Sequence, residues 1–493
     1  MKARPRLAAL ALLATASACG TTVPLTSQVT VAGAGAPVDQ GAALSGAASG
    51  APGLPGAAVP GSSTRASGPT STSSSATSSG TTQGPVTAPQ QVTGPLKIGI
   101  LNTGSNAALA ASFGKQGTSV TWQGTTEALI AYYNAHGGVA GRKIVPTYYT
   151  VQTTSNSFVA DTEAACAKFT QDEHVDLVMT TAGTGSFDSY ESCLNHAHVV
   201  NLEAYDQGNT DLGTLSADPG LFTAGAPVVD HAITDTLTGL VKTGYITRSS
   251  KLGVIVEDCP YDVRAYERSY APLAKRLGIS VMRRDVGCAD NAAGLGSLIT
   301  GAGSAVLPFR SAGIDRVSFV SDFESVLLLG FSDQAQAQGW HPGYALTSAA
   351  HAGSNASQLS QGQLPQMVGV GDLPNVDTTS RNPLPADAAR CRQMLASEGV
   401  RGSAPADYSI LDTGCDVFRL LSLGLTRSHG DASFAALSAG IASIGASGGA
   451  ASVLTGRTSY GADGRDGTPP AAAFGFVAAC RCFRYVTGPL SLP

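Results

Sequence analysis

The stretch from Leu96 to Ser186 alternates short apolar runs with helical patterns, and that alternation constrains the chain more than any other feature. Leu96-Lys97-Ile98-Gly99-Ile100-Leu101 is a short apolar run with a β-branched bias, the pattern of a buried strand. Trp122, Thr125, Leu129 and Tyr133 recur at helical spacing, and Gly137-Gly138 ends that helix where a left-handed residue is wanted. Lys143 to Thr150 predicts a second strand. Phe158, Thr162, Ala165 and Phe169 mark the inner face of a second helix, and Val175 to Thr180 predicts a third strand. Strands and helices alternating at this length imply right-handed βαβ units on a parallel sheet. Ligands of such sheets sit at the carboxyl ends of the strands. The loop Thr180-Thr181-Ala182-Gly183-Thr184-Gly185-Ser186 occupies such an end, just ahead of a helical pattern from Phe187 to His196. Backbone N–H groups at a helix start, with hydroxyls beside them, hold an anion without a full positive charge. Thr184, Gly185 and Ser186 are therefore the first site candidates; a plain connecting loop with capping residues is the alternative.

The pattern continues downstream. His198 to Ala204 predicts a fourth strand, followed by the loop Tyr205 to Asn209. Leu252 to Asp258, Ile279 to Val286, Arg316 to Ser321 and Gly343 to Ser348 predict strands of a second set of βα units. The intervening helices are expected at Pro227 to Tyr245, Tyr261 to Gly278, Ser297 to Gly313 and Phe323 to Trp340. Val368 to Leu373 reads as a strand, and Pro385 to Val400, Tyr408 to Thr426 and Ala432 to Ile444 as helices. Tyr460 to Gly467 is dense in turn formers and precedes a final strand pattern from Ala473 to Val486. A chain of 493 residues has the length for two or three domains with a sizeable core.

Three of these segments carry a family resemblance. Ile98-Gly99-Ile100-Leu101, then Tyr133-Asn134-Ala135-His136-Gly137-Gly138-Val139-Ala140-Gly141-Arg142-Lys143-Ile144, then Val175-Asp176-Leu177-Val178-Met179 resemble the N-terminal lobe of type I periplasmic-binding proteins. The closest members are the branched-chain amino acid (Leu/Ile/Val) receptors of ABC importers, and the run N-A-x-G-G-x-x-G-R-K-I is the most specific piece. Asp315 to Val320, followed by Gln334 to Trp340, resembles the same receptors' second lobe. The resemblance extends, with gaps, from residue 97 to residue 488.

It implies a two-lobed α/β fold in which parallel-sheet lobes are joined by a three-crossing hinge. Lobe 1 would comprise 96–225 and 373–455, and lobe 2 would comprise 226–372 and 456–493. Val368 to Leu373 would be the strand that recrosses to the first lobe, and Tyr408 to Thr426 the helix that packs back on it. The Ser/Thr-rich loop would grip a ligand carboxylate. Glu203, Ala204 and Tyr205 would add contacts at the end of the fourth strand. Tyr261, after Glu257-Asp258-Cys259-Pro260, would be the aromatic that closes over the ligand from lobe two, with Asp322 and Phe323 lining the same mouth. Ordinary packing is the alternative for each. The amino acid receptors place a carboxylate after the strand that matches Gly343 to Ser348, to hold the ligand ammonium; here that place reads Ser348-Ala349-Ala350-His351. A zwitterion would then need Glu203 or Asp322, so the expectation moves away from Leu, Ile or Val and leaves an aromatic acid, another carboxylate or a neutral amide open. The implied activity is capture of a small molecule for an ABC permease, with a sensor on the same fold as the alternative.

The N-terminus fits export. Residues 1–19 read as a basic start, an apolar core from Leu7 to Ala14 and small residues before Cys19, a secretory signal too short to span a bilayer. The end resembles a bacterial lipobox, which would place a diacylglycerol on the Cys19 thiol and anchor the chain in a membrane. Ala16-Ser17-Ala18 also fits ordinary signal-peptidase cleavage. Residues 20–95 hold Gly, Ala, Ser, Thr and Pro, no Phe, Tyr or Trp, and only Asp39 and Arg65 as charges: a disordered tether with a typical reach of about 50 Å. Eight further cysteines make an even set that, with an export signal, predicts up to four disulfides. Resemblance and proximity favour Cys166–Cys193, followed by Cys259–Cys288 and Cys391–Cys415. Cys480 and Cys482, two apart on a predicted strand, are badly placed to bridge each other. Free core thiols are the alternative for some of them.

Other functions find no support. A net charge of −5 without a basic patch excludes nucleic acid as a partner. Gly445-Ala446-Ser447-Gly448-Gly449 matches a nucleophile elbow in letters, but no histidine follows Ser447. Phosphate-loop and dinucleotide fingerprints are missing. His196-Ala197-His198 has no carboxylate cluster beside it in sequence, and no paired C-x-x-C spacing suggests zinc. No enzyme activity, cofactor or metal is expected.

Overall fold

A computed structural model describes residues 91–104, 117–181, 188–204, 210–380, 384–462 and 464–492. The predicted signal, Cys19 and residues 20–90 of the predicted tether lie outside the described residues, as do Thr184, Gly185, Ser186 and Tyr205. Residues 91–95, assigned to the disordered tether, instead join the folded part: the Val92 amide donates to the His429 carbonyl (3.0 Å) and Gln91 to the Ala140 carbonyl (2.8 Å).

The first sheet is parallel throughout. β1 (Leu96–Thr103), β2 (Ile144–Val151), β3 (Leu177–Thr180), β4 (Val200–Glu203) and β5 (Leu221–Thr223) lie in the order β2-β1-β3-β4-β5. The helix Trp122–Ala135 between β1 and β2 starts at Thr121, whose side chain accepts the Gly124 amide, and gives way to Gly137 and Gly138, both at positive φ. The N-A-x-G-G-x-x-G-R-K-I run now has a physical reading. Asn134 clasps Ile144 at both its backbone N–H (2.8 Å) and its carbonyl (2.9 Å), fixing the helix end to β2. Arg142, 7% exposed, donates to the carbonyls of Gly94, Pro95 and Gly430 and pairs with Asp176 at 2.9 Å. A Cβ on Gly138 would stand 2.1 Å from the Arg142 carbonyl oxygen, so the turn requires glycine there.

The second sheet is mixed. β6 (Lys251–Glu257), β7 (Ser280–Val286), β8 (Arg316–Val320), β9 (Gly343–Leu346) and β10 (Met367–Gly371) are parallel, while β13 (Ala472–Val477) and β14 (Cys482–Pro489) add antiparallel strands, giving β14-β13-β10-β9-β8-β6-β7. β11 (Gly445–Gly449) and β12 (Arg457–Tyr460) pair only with each other, across the expected lobe boundary at residue 456. The chain passes between the sheets after β5, after β10 and before β13, a three-crossing hinge. β10 differs from expectation: it stays inside the second sheet, between β9 and β13, and the crossing follows it at the short helix Pro374–Asp377. The helix after β6 also differs. Pro260–Ala265 and Ala271–Leu277 are joined by a π-turn over Tyr266–Tyr270, in which the Ala271 amide reaches the Tyr266 carbonyl. Pro272 has no N–H to continue the usual ladder, and the wider turn absorbs that break.

The apolar interior follows the sheets. One face of the first sheet packs on Trp122–Ala135, Pro405–Arg427 and Phe434–Ala442, around Leu129, Phe418 and Leu421. Helix Val229–Lys242 and the π-interrupted helix cover one face of the second. A third cluster runs through both halves, from Leu101, Phe158 and Tyr190 to Leu298, Phe319 and Phe331. Backbone bonds tie the halves there: the Phe158 amide donates to the Asp290 carbonyl (2.8 Å) and the Ala292 amide to the Ser155 carbonyl (3.3 Å).

Disulfides join Cys166–Cys193, Cys259–Cys288 and Cys391–Cys415, as expected. A fourth joins Cys480 to Cys482, which corrects the expectation that they are awkwardly placed to bridge each other. The strand pattern from Ala473 to Val486 is in fact the hairpin β13–β14, and Cys480 lies in its turn. Arg481 at φ 50° folds the chain back and leaves the two Cα atoms 5.2 Å apart, within disulfide reach.

Candidate functional site

The carboxyl end of the first sheet carries polar side chains linked by hydrogen bonds. The Thr181 hydroxyl lies 2.8 Å from Asn102 Oδ1 and 2.9 Å from the Leu101 carbonyl. Thr180 Oγ1 donates to Asn201 Oδ1 (2.8 Å), and Asn201 Nδ2 donates to Glu191 Oε1 (2.8 Å). Glu203, 2% exposed, accepts the Thr210 hydroxyl at 3.0 Å, and the buried Ala204 donates its amide to the Thr180 carbonyl.

The carboxyl end of the second sheet is acidic. Glu257 closes β6; Asp262 lies in the helix that follows; Asp322 follows β8. All three are completely buried, and an oxygen from each lies within 4.8 Å of the others. Glu257 is oriented by two donors, the Ala289 amide on Oε1 (2.9 Å) and the Ser321 hydroxyl on Oε2 (2.5 Å). Neither oxygen of Asp262 or of Asp322 accepts a hydrogen bond of ordinary geometry among the described residues. Tyr261, 1% exposed, has its hydroxyl beside Asp322 and likewise makes no bond of ordinary geometry. Burial pushes the Glu257 carboxyl up to about 7, against the Ser321 and Ala289 bonds. Burial, then the charges of Asp322 and Glu257, push Asp262 well above the carboxylate range, and burial and Glu257 do the same to Asp322. Phe323, 7% exposed, packs in the shared apolar cluster.

A second acidic group stands next to it. A cavity of about 30 Å³, room for a water, is lined by Asp235, Ser321, Glu324, Ser348 and Asp372 among others. Burial holds Glu324 up at about 8 although the Thr347 amide and hydroxyl both donate to it. Burial likewise raises Asp235 to about 6 and Asp372 well above its usual range. Ser348, where the resemblance leads one to look for an acid, therefore sits among acids contributed by other strand ends.

Arginines connect the two carboxyl ends. Arg264, in the helix after β6, reaches Asp188, which begins the helix after β3, at 3.0 Å, and Asp211, which follows β4, at 2.9 Å. Arg268 bridges Asp211 (2.7 Å) and Asp230 (3.0 Å). Burial works to raise Asp211, but Arg264, the Thr214 amide and hydroxyl, and Arg268 outweigh it and hold the carboxyl well below the usual range. The elements that leave the ends of β3, β4 and β6 thus meet at one ion-pair network.

Of the expected site residues in the described part, Tyr261 and Asp322 come together, Phe323 borders them, and Glu203 and Ala204 stand at the other sheet. Reasoning from sequence missed Glu257, Asp262, Glu324, Asp372, Arg264 and Arg268 as site residues. The signal was present: every one of these acids lies at or within five residues of a strand's carboxyl end. The elbow-like Ser447 sits within β11 and binds Arg427 (3.3 Å), not a histidine. His196 bonds the Ser192 carbonyl and His198 packs edge-on against Phe434.

No protein-family model matches the sequence, and no curated protein matches it. Solved structures do match. A solute-binding protein of an ABC transporter from R. palustris, in complex with 4-hydroxybenzoate, superposes with a TM-score of 0.60 at 13% identity, over 81% of this chain and 98% of that one. A branched-chain amino acid ABC transporter protein from Thermus thermophilus with bound valine gives 0.58 at 12% identity, over 81% and 97%. An ABC transporter substrate-binding protein from Desulfitobacterium hafniense in complex with Leu gives 0.55 at 14% identity, over 80% and 100%. The chain has the two-lobed α/β fold of type I periplasmic-binding proteins.

Proposed function

We propose that this protein is an extracytoplasmic solute-binding protein that captures a small molecule between its lobes and delivers it to an ABC permease. The observation that carries the reading is the meeting of the strand ends: Arg264 from the second sheet holds Asp188 and Asp211 from the first. Two sheets whose ligand-bearing ends face one another across a three-crossing hinge form a cleft that closes on a ligand. In this reading lobe 1 comprises 96–225 and 373–455, lobe 2 comprises 226–372 and 456–493, and binding shifts the population toward the closed form without bond chemistry. Thr184, Gly185, Ser186, Glu203, Ala204 and Tyr205 contact the ligand from the first lobe, and Tyr261, Asp322 and Phe323 from the second. Cys19 carries the lipid, and residues 20–90 tether the domain to the membrane.

Valine, leucine and 4-hydroxybenzoate, the ligands of the similar structures, all carry a carboxylate, which suits a Thr/Gly/Ser loop at a helix start. Asp235, raised only to about 6 and so still ionised at neutral pH, supplies a partner for a cationic group beside Ser348, and an amino-acid-like solute stays within the reading. Calorimetric titration of the mature chain with amino acids, hydroxybenzoates and amides tests it. One saturable site is expected, weakened about tenfold or more by Thr184→Ala with Ser186→Ala. No saturable heat across the panel, or affinity untouched by the double variant, contradicts it.

A further inference from the structure

The acids Glu257, Asp262 and Asp322 come from three different elements, which is why no spacing in the sequence reveals them. Three buried carboxyl groups this close cannot all ionise without compensation; they must share protons or a cation. Oxygens that share an ion at calcium's bond length of about 2.3–2.6 Å lie at most about 5 Å apart, and the separations here, within 4.8 Å, meet that condition. The donor set is also arranged as it would be around an ion. Glu257 is held from behind by the Ala289 amide and the Ser321 hydroxyl, the kind of outer support that orients a metal-binding carboxylate. Both oxygens of Asp262 and of Asp322 accept no hydrogen bond of ordinary geometry among the described residues.

A second observation concerns a side chain that is not an acid. The Tyr261 hydroxyl is buried and makes no bond of ordinary geometry, yet the charged groups acting on it are Asp322, Asp262 and Glu257, all three members of the cluster. A buried phenol whose hydroxyl lies beside Asp322 brings a fourth oxygen to the edge of the cluster. Arg264 acts on Asp262 from outside and offsets part of the surplus negative charge. Hard oxygen donors with no nitrogen or free thiolate select calcium or magnesium over zinc or copper; the neighbouring Cys259 and Cys288 are consumed in a disulfide.

We propose that Glu257, Asp262, Asp322 and the Tyr261 hydroxyl form a binding site for one hard divalent cation of calcium's size. The site shares Tyr261 and Asp322 with the proposed solute site but does not rest on that reading, because the ion's binding is measured with no solute present. The full mature chain, stripped with chelator, is titrated with calcium chloride by calorimetry and with terbium by tyrosine-sensitised luminescence. One ion per chain is expected, with Asp262→Asn weakening calcium at least about tenfold and Tyr261→Phe reducing the sensitised emission. Should Asp262→Asn fail to fold, Tyr261→Phe, which removes one oxygen and no charge, carries the test alone. No calcium uptake at millimolar concentration overturns the site and leaves shared protons as the way the acids are neutralised. Uptake unchanged in both variants overturns it equally.

Discussion

The two sheets end in different chemistry. At the first, side chains are linked in a chain of hydrogen bonds, Asn102 with Thr181, Thr180 with Asn201, Asn201 with Glu191 and Glu203 with Thr210, although Asn102 Nδ2 and Glu191 Oε2 are buried without a bond of ordinary geometry. At the second, Asp262, Asp322 and the Tyr261 hydroxyl are buried with no bond of ordinary geometry. A more fully bonded polar network stiffens a framework, while one whose carboxyl groups are left largely unbonded stores an energetic cost that a ligand or ion can relieve. The first lobe is therefore read as the fixed jaw and the second as the one whose stability responds to what it holds.

The largest effect is expected where the two ends meet. Arg264→Ala leaves Asp188 without its arginine and the buried Asp211 with Arg268 alone. It should cost about 2–4 kcal/mol in chemical denaturation. A loss under about 0.5 kcal/mol would show that the arginine does not hold the two ends together.

Matched substitutions at the two ends should then have opposite signs. Thr180→Val removes the donor to Asn201 and should cost about 1–2 kcal/mol. Asp322→Asn removes a carboxyl whose pKa is raised in the folded state and should raise stability at neutral pH without calcium. Thermal or denaturant melts of both variants decide it, and a destabilised Asp322→Asn in calcium-free buffer would erase the contrast.

The titration of Glu324 is read as a slope against pH and not as a single loss. Its folded value, about 8, lies above its ordinary 4.5, so its contribution is fully present below 4.5 and is lost as pH rises toward 8. Glu324→Gln should flatten the fall of stability over that range, whose slope from this one carboxyl is at most about 1.4 kcal/mol per pH unit. An unchanged profile would mean that the carboxyl ionises freely in the fold.

The smallest effect belongs to the hinge side. His231 Nδ1 lies 2.6 Å from Asp466, whose bond raises the imidazole above its ordinary 6.5. Burial works to raise Asp466, but the His231 bond wins and the carboxyl falls below 3.8. The histidine's share of stability is present below 6.5 and fades as pH rises through its raised value. The aspartate's share is present above 3.8 and fades as pH falls through its lowered value. His231→Gln should cost a few tenths to about 1 kcal/mol near pH 5 and less near pH 9; an equal loss at both would contradict the pairing.

The fold was legible because burial writes itself into local pattern. The run Leu177-Val178-Met179-Thr180 is buried along its whole length, and Gly138 stands where only glycine fits. Asn134 and Arg142 are legible through the family resemblance, and their bonds to Ile144 and to the Gly94, Pro95 and Gly430 carbonyls give the reason. Register along the final hairpin was not legible, because the turn at Ala478–Arg481 contains no glycine and Arg481 takes the positive φ itself. The acidic cluster was illegible for another reason. Glu257, Asp262 and Asp322 meet only through tertiary contact between the ends of β6 and β8 and the helix between them, and no one-dimensional period encodes that. The acids near Ser348 were missed because attention fell on a single strand end, whereas Glu324 and Asp372 reach the same cavity from other strand ends.

The most direct test of a two-jawed solute trap is amide hydrogen exchange of the mature chain with and without a solute found by titration. Slowed exchange is predicted at the ends of both sheets together, in segments 180–190 and 203–214 of the first half and 257–265 and 321–325 of the second. Protection confined to one half, or absent at saturating solute, would contradict closure of the two lobes on a ligand.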